Sequence, residues 1–159
     1  VMLEVGCGTG YNLKRLQQTY PKAQLIGLDV SSTMVQKAGR KFSKPDNPAF
    51  HCKPYSPDDD SFSGRVDAII FSYSLTMINP QWKDLVMKAK QDLKPGGVIG
   101  VVDFHHSPHQ WFRTHMANNH VKMEKHILPL LEQEFDPVVQ KVGKAYLGVW
   151  QYFLFVGKK

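Results

Sequence analysis

Three glycines at alternate positions near the start of the chain, in VMLEVGCGTGYN, constrain the fold more than any other feature. Val1, Met2, Leu3 and Val5 form a short apolar run ended by glycine, which reads as a buried strand of a parallel sheet. Leu13 and Leu16 then recur at helical spacing, and Pro21 ends that segment. Gly6, Cys7, Gly8, Thr9 and Gly10 therefore make a strand-to-helix turn. One glycine would serve a tight turn. Three let a ligand approach the backbone, while the N–H groups opening the helix favour an anionic group.

The ligand is narrowed by what the loop lacks. A dinucleotide fingerprint, G-x-G-x-x-G, needs its third glycine where this chain has the bulky Tyr11. No Gly-Lys-Ser/Thr follows, so the loop is not a P-loop. Glu4 stands just before the turn, where it repels a pyrophosphate and suits a cation. A cofactor carrying an ammonium and a sulfonium fits that environment better.

The next segment, LIGLDVSSTMVQKA, supplies a companion. Leu25, Ile26 and Leu28 lead as a strand to Asp29, and Ser31 or Ser32 then caps a helix. Asp29 lies about twenty residues past the loop, the spacing at which a second-strand carboxylate reaches ribose hydroxyls. A strand-end Asp also serves as a cap or turn residue; its pairing with the glycine loop favours the ribose reading.

The two segments together resemble the first motifs of class I S-adenosylmethionine-dependent methyltransferases. The resemblance implies a Rossmann-like, doubly wound α/β fold with a mostly parallel sheet ending in an antiparallel C-terminal strand pair. It implies S-adenosyl-L-methionine as cofactor, with Glu4, Gly6, Cys7, Gly8, Thr9 and Gly10 around its methionine part. Asp29 would then take the ribose diol, and Val30 and Met34 would border the adenine. The family usually places an acid after the third strand to hold the adenine amino group. Here the sequence reads CKPYS, with Asp58, Asp59 and Asp60 only further along, in what reads as a solvated acidic loop.

Downstream, the chain keeps alternating. NPAFHC holds a third strand around Phe50, VDAIIFSYS a fourth, WKDLVMKAKQDL a helix with Leu85, Ala89 and Leu93 on one face, and GGVIGVVDF a fifth strand after a KPGG turn. VVQKVGKAY and GVWQYFLFVG close the chain as a hairpin. At 159 residues this is one domain, residues 1–159, with one core. Val1 already sits in the first strand, and this fold normally carries helices ahead of it, so an N-terminal helical segment is expected to precede it. Cys7 and Cys52 show no pairing logic and suggest a reducing compartment. No membrane-spanning run or signal peptide is present, so the expected location is cytoplasmic. The net charge of +6 is scattered and carries no nucleic-acid motif. It reads as a solvated surface, with peripheral contact at anionic lipid headgroups as the sharper alternative.

Ligands of open α/β sheets bind beyond the carboxyl ends of the strands, so Ser72, Tyr73 and Ser74 are expected to face the cofactor's reactive end. A tyrosine face attracts a sulfonium with about 0.5–2 kcal/mol. NPQW lies too late to be an Asn-Pro-Pro-aromatic motif and reads as Asn79 capping a helix with Pro80 at its first position. Six of seven histidines fall between His105 and His126, but their spacings, and Pro108, argue against a metal site. Phe112, Met116, Met123 and Ile127 keep approximate helical spacing, as one amphipathic segment covering the acceptor pocket.

FSYSLTMI, LKPGG, VVDF, WFR and KAYLGVW further resemble the N-methyltransferases that finish homoserine betaine lipids. That resemblance implies a small-molecule or lipid-headgroup amine as acceptor, with Tyr73 and His106 as catalytic candidates and Asp103 and His105 as acceptor contacts. Two other readings stand beside it: a cofactor-binding module without catalysis, and an NAD(P)-dependent oxidoreductase, which Tyr11 and Glu4 argue against.

Overall fold

A computed structural model describes residues 1–42 and 48–159. Seven strands form one sheet in the order β3-β2-β1-β4-β5-β7-β6. β1 (Met2–Val5), β2 (Leu25–Asp29), β3 (Ala49–Cys52), β4 (Val66–Ser72) and β5 (Leu93–His106) run parallel. β7 (Trp150–Lys158) is antiparallel to both β5 and β6 (Asp136–Ala145). This is the expected doubly wound sheet with its antiparallel closing pair. The chain builds outward from β1 in two directions, so the strand order reverses between β1 and β4, where such sheets open a crevice at their carboxyl ends.

Alternation along the strands supplies both faces of the core. Leu3, Ile69, Phe71, Ile99 and Phe153 pack beneath α3 (Trp82–Asp92) and α5 (Ile127–Glu134), which contribute Leu85, Val86, Ala89, Leu128 and Leu131. On the other face, Leu25 and Cys7 pack against Leu13 of α1 (Tyr11–Thr19). Gly27 is what lets that helix approach, since a Cβ there would lie 2.7 Å from Leu13 Cδ1 and 2.8 Å from Cys7 Sγ. Ser31 caps α2 (Ser32–Gly39), accepting from the Met34 N–H, as one of the two expected serines.

Three local expectations are corrected. Asn79 does not cap α3: that helix starts after Gln81, and the Asn79 amide instead donates to the carbonyls of Thr76 and His120. These contacts tie the segment after β4 to the one after α4 (Gln110–Asn118). The KPGG stretch is not a turn ahead of β5 but an irregularity inside it: Val66 pairs with Leu93 and Ala68 next pairs with Val98. The segment from Phe112 to Ile127 is two helices with an irregular link, and α4 buries no residue. Met123 and Ile127 are in the core, whereas Phe112 and Met116 are half-exposed. Among the described residues, no helix is long and apolar enough to cross a membrane.

Candidate active site

A cavity of about 300 Å³ opens at the carboxyl ends of the parallel strands. Val5 and Gly6 from β1, Leu28 to Val30 from β2, Lys53 to Tyr55 after β3, and Tyr73 and Ser74 after β4 surround it. Met77, Ile78 and Leu85 close its lower side.

The glycine turn meets its backbone demands in two different ways. Gly6 has φ +72°, and a Cβ there would sit 2.7 Å from the Ser74 Cβ, so the bare backbone lets β1 and the β4 turn close on each other. The Ser74 hydroxyl completes that contact by donating to the Val5 carbonyl at 3.0 Å. Gly8 also takes a left-handed φ, +52°, but faces open space. Its N–H donates to Asp29 Oδ2 at 2.8 Å, while Asp29 Oδ1 accepts from the Ser31 N–H at 2.9 Å. One carboxylate thus fixes both the loop and the start of the second crossover.

Glu4 is 1% exposed. Its Oε1 accepts from the Asn12 amide at 2.7 Å, and its Oε2 is buried with no partner among the described residues. Burial, opposed by the Asn12 hydrogen bond and reinforced by nearby Asp29, pushes its pKa up to about 7. Burying an ionisable oxygen unpaired is costly, and a cation beside it would recover that cost. The open Gly8 backbone, the Asp29 carboxylate and the orphaned Glu4 oxygen together suit a ligand with an ammonium and a ribose.

The Tyr73 side of the cavity is aromatic. Tyr73 lines the cavity with a left-handed backbone, φ 52°, unusual for a bulky residue, and its N–H donates to the Val102 carbonyl at 2.8 Å. Its ring meets Phe104 at 5.0 Å and Trp150 at 6.1 Å, and those two rings lie 4.8 Å apart. Burial raises the Tyr73 hydroxyl pKa, helped by Asp103 and Tyr152, so the phenol stays protonated.

Other expected site residues lie elsewhere. Asp103 is wholly buried: its carboxylate accepts from the Thr76 hydroxyl and N–H and from the Phe104 N–H, tying β5 to the turn after β4. It is a structural latch rather than an acceptor contact. The His105 ring packs against Phe153, on the sheet face opposite Phe104, because successive strand residues alternate. Burial lowers its pKa, and its Nδ1 is buried without a partner among the described residues. His106 sits beyond a bulge, opposite Gln151, and does not line the cavity. The Cys7 thiol points into the α1 core, where burial, then Glu4 and Asp29, push its pKa up to about 12. Glu4, Gly8, Thr9, Gly10, Met34 and Ser72 also lie outside the lining, while Gly6, Asp29, Val30 and Ser74 are within it.

Asn12, Lys53, Pro54, Tyr55, Phe104 and Trp150 were not singled out by sequence. One signal was available: ligands of such sheets bind beyond the carboxyl ends of the strands, and Lys53 to Tyr55 directly follow β3.

Residues 2–97 match the methyltransferase domain family, well over half of the chain. The chain belongs to that family. S-adenosyl-L-methionine is its cofactor, and the residues described above fit it. This methyltransferase domain is 32% identical over 100 residues to trans-aconitate 2-methyltransferase of Deinococcus radiodurans, covering 63% of this chain and 36% of that one. It is 32% identical over 116 residues to a malonyl-[acyl-carrier protein] O-methyltransferase of Dechloromonas aromatica, covering 68% and 40%. The domain therefore spans well under two thirds of the length of these curated relatives. Among solved structures, geranyl diphosphate C-methyltransferase from Streptomyces coelicolor, in complex with S-adenosyl-L-homocysteine, superposes with a TM-score of 0.79 at 15% identity, over 99% of this chain and 72% of that one. The [4+2]-cyclase SpnF superposes with a TM-score of 0.79 at 18% identity, over 99% and 74%. Such likeness speaks to fold alone; chemistry has to be argued from the site.

Proposed function

We propose that this domain binds S-adenosyl-L-methionine across the glycine turn and Asp29 and transfers its methyl group to an amine of a small molecule or lipid headgroup. The observation that carries the cofactor placement is the buried, unpartnered Glu4 Oε2 beside a glycine turn whose Gly8 faces open space. In this reading Glu4 receives the ammonium, and Asp29 accepts from the ribose hydroxyls while holding Gly8. When bound, the cofactor supplies an electrophilic methyl on a positively charged sulfur.

The chain's own task is to hold the acceptor lone pair in line with that methyl, at about 3–3.5 Å, and to keep water out. Tyr73 is suited to this: its ring packs edge-on against both Phe104 and Trp150, and its hydroxyl stays a donor. An amine is supported as acceptor by the same rings, because charge builds on its nitrogen as the bond forms and aromatic faces attract cations. The amine must shed a proton, and with His106 outside the cavity lining that role falls to water at the cavity mouth. The relatives' names include O- and C-methyl transfer, so kinship leaves the acceptor open and the aromatic end carries the choice. The scattered positive charge supports transient contact with anionic headgroups.

Calorimetric titration with S-adenosylhomocysteine, with NADH as control, tests the cofactor assignment: micromolar binding of the first alone is expected. Labelled methyl transfer onto primary and tertiary amines, against matched carboxylates, tests the acceptor class. Transfer to carboxylates only would overturn the amine reading.

A further inference from the structure

The wall of the cavity formed after β3 is unusual for what it lacks and for how it is held. Asp29 stands at the end of β2, between β3 on one side and β1 and β4 on the other. With the ribose at Asp29 and the methionine part on the glycine turn, the purine must lie on the β3 side, against Val30, Pro54 and Tyr55. Among the described residues, Asp29 is the only carboxylate lining the cavity. None of the three acids that follow β3 lines the cavity. Asp58 is exposed. Asp59 accepts from Lys53 at 2.5 Å and from the Ser61 N–H at 3.0 Å. Asp60 is exposed and faces Lys88.

The remaining polar group on that wall is also turned away. The Tyr55 hydroxyl donates to Asp92 Oδ2 at 2.6 Å, in the protein interior. Asp92 Oδ1 accepts from Lys88 Nζ at 2.8 Å, and the two charged side chains are 0% and 1% exposed. The Tyr55 ring meets Phe71 edge-on at 6.2 Å, which fixes its plane from behind. A lysine and an aspartate inside a core are costly in place of apolar side chains, and here they hold one phenol hydroxyl in the core.

We propose that the purine of the cofactor is recognised by shape against Tyr55, Pro54 and Val30, with no side-chain carboxylate among the described residues for its 6-amino group, and that the Lys88–Asp92 pair is the positioning device that fixes this wall. The inference rests on the cofactor assignment above and concerns its specificity. A site that pairs a carboxylate with an amino group rejects a carbonyl in its place, because the carboxylate is left buried and facing an acceptor; such mismatches cost about 100-fold or more. A shape-based wall carries no such penalty.

The test compares S-adenosyl-L-homocysteine with S-inosyl-L-homocysteine, which carries oxygen for the amino group, by calorimetry on the unmodified chain. A loss of less than tenfold for the inosyl compound is expected; a loss of tenfold or more overturns the proposal. Failure of both compounds to bind would instead bring down the cofactor assignment, and this inference with it. Tyr55→Leu separates shape from polarity: it should weaken both compounds by a similar factor, leaving their ratio unchanged. A ratio that moves by more than threefold would place polar recognition at Tyr55 and overturn the role given to its ring.

Discussion

Asp29 Oδ2 accepts the Gly8 N–H at 2.8 Å across 21 residues of sequence. The acid at the end of β2 and the glycine turn after β1 are thus one unit: the carboxylate that would receive a ribose also fixes the loop that would receive the methionine part. Its other oxygen holds the Ser31 N–H at the start of α2.

Removing that carboxylate should therefore affect binding and loop order together. Asp29→Ala is expected to weaken S-adenosylhomocysteine binding by about 10–100-fold, the scale of hydrogen bonds to a charged group. Asp29→Asn, which retains one acceptor oxygen, should fall between the two. Equal affinity of wild type and Asp29→Ala in calorimetry would rule out the ribose role.

Glu4 makes the protein's response to pH specific. Its folded-state pKa of about 7 lies above the ordinary 4.5, so the folded chain binds more protons than the unfolded chain between those values. Stability from this group is present below about 4.5 and is lost as pH rises through 7. An ammonium ligand prefers the charged carboxylate, so affinity for S-adenosylhomocysteine should rise about tenfold from pH 6 to 8. Glu4→Gln should flatten both profiles, read by thermal melts and calorimetry.

Tyr73 combines a strained backbone with a ring that lines the cavity. Left-handed φ in a bulky residue costs about 1–3 kcal/mol, and glycine would relieve it. Tyr73→Gly should change unfolding free energy by no more than about 1 kcal/mol, because lost ring contacts offset the relief. Methyl-transfer turnover should fall at least tenfold. Urea denaturation beside a turnover assay checks the pair of outcomes.

Asp103 should behave in the opposite way. Asp103→Ala strands the Thr76 and Phe104 N–H groups in the interior and is expected to cost about 2–4 kcal/mol in urea denaturation. Affinity for S-adenosylhomocysteine should stay within about threefold at a temperature where the variant is folded. A stable variant would contradict the latch.

Much of this molecule is written in short stretches of chain. The glycine turn, the strand ending at Asp29, the Ser31 cap and the closing hairpin were all legible, because backbone freedom, alternation and capping act over a few residues. Local chemistry also singled out Glu4 beside the glycine turn. It did not show that one Glu4 oxygen would be left alone in the interior, which depends on how α1 brings Asn12 over β1. Tyr55, Lys88 and Asp92 belong to a segment after β3 and a helix after β4, and no spacing rule links residues 37 apart. His105 and Asp103 looked like acceptor contacts until strand pairing assigned each a face and Thr76 claimed the carboxylate. Asn79, a helix cap by sequence, bonds instead to carbonyls as far as 41 residues away. Backbone preferences are satisfied within a turn or strand, whereas the partners of a buried polar group are set by which distant elements the sheet order brings side by side.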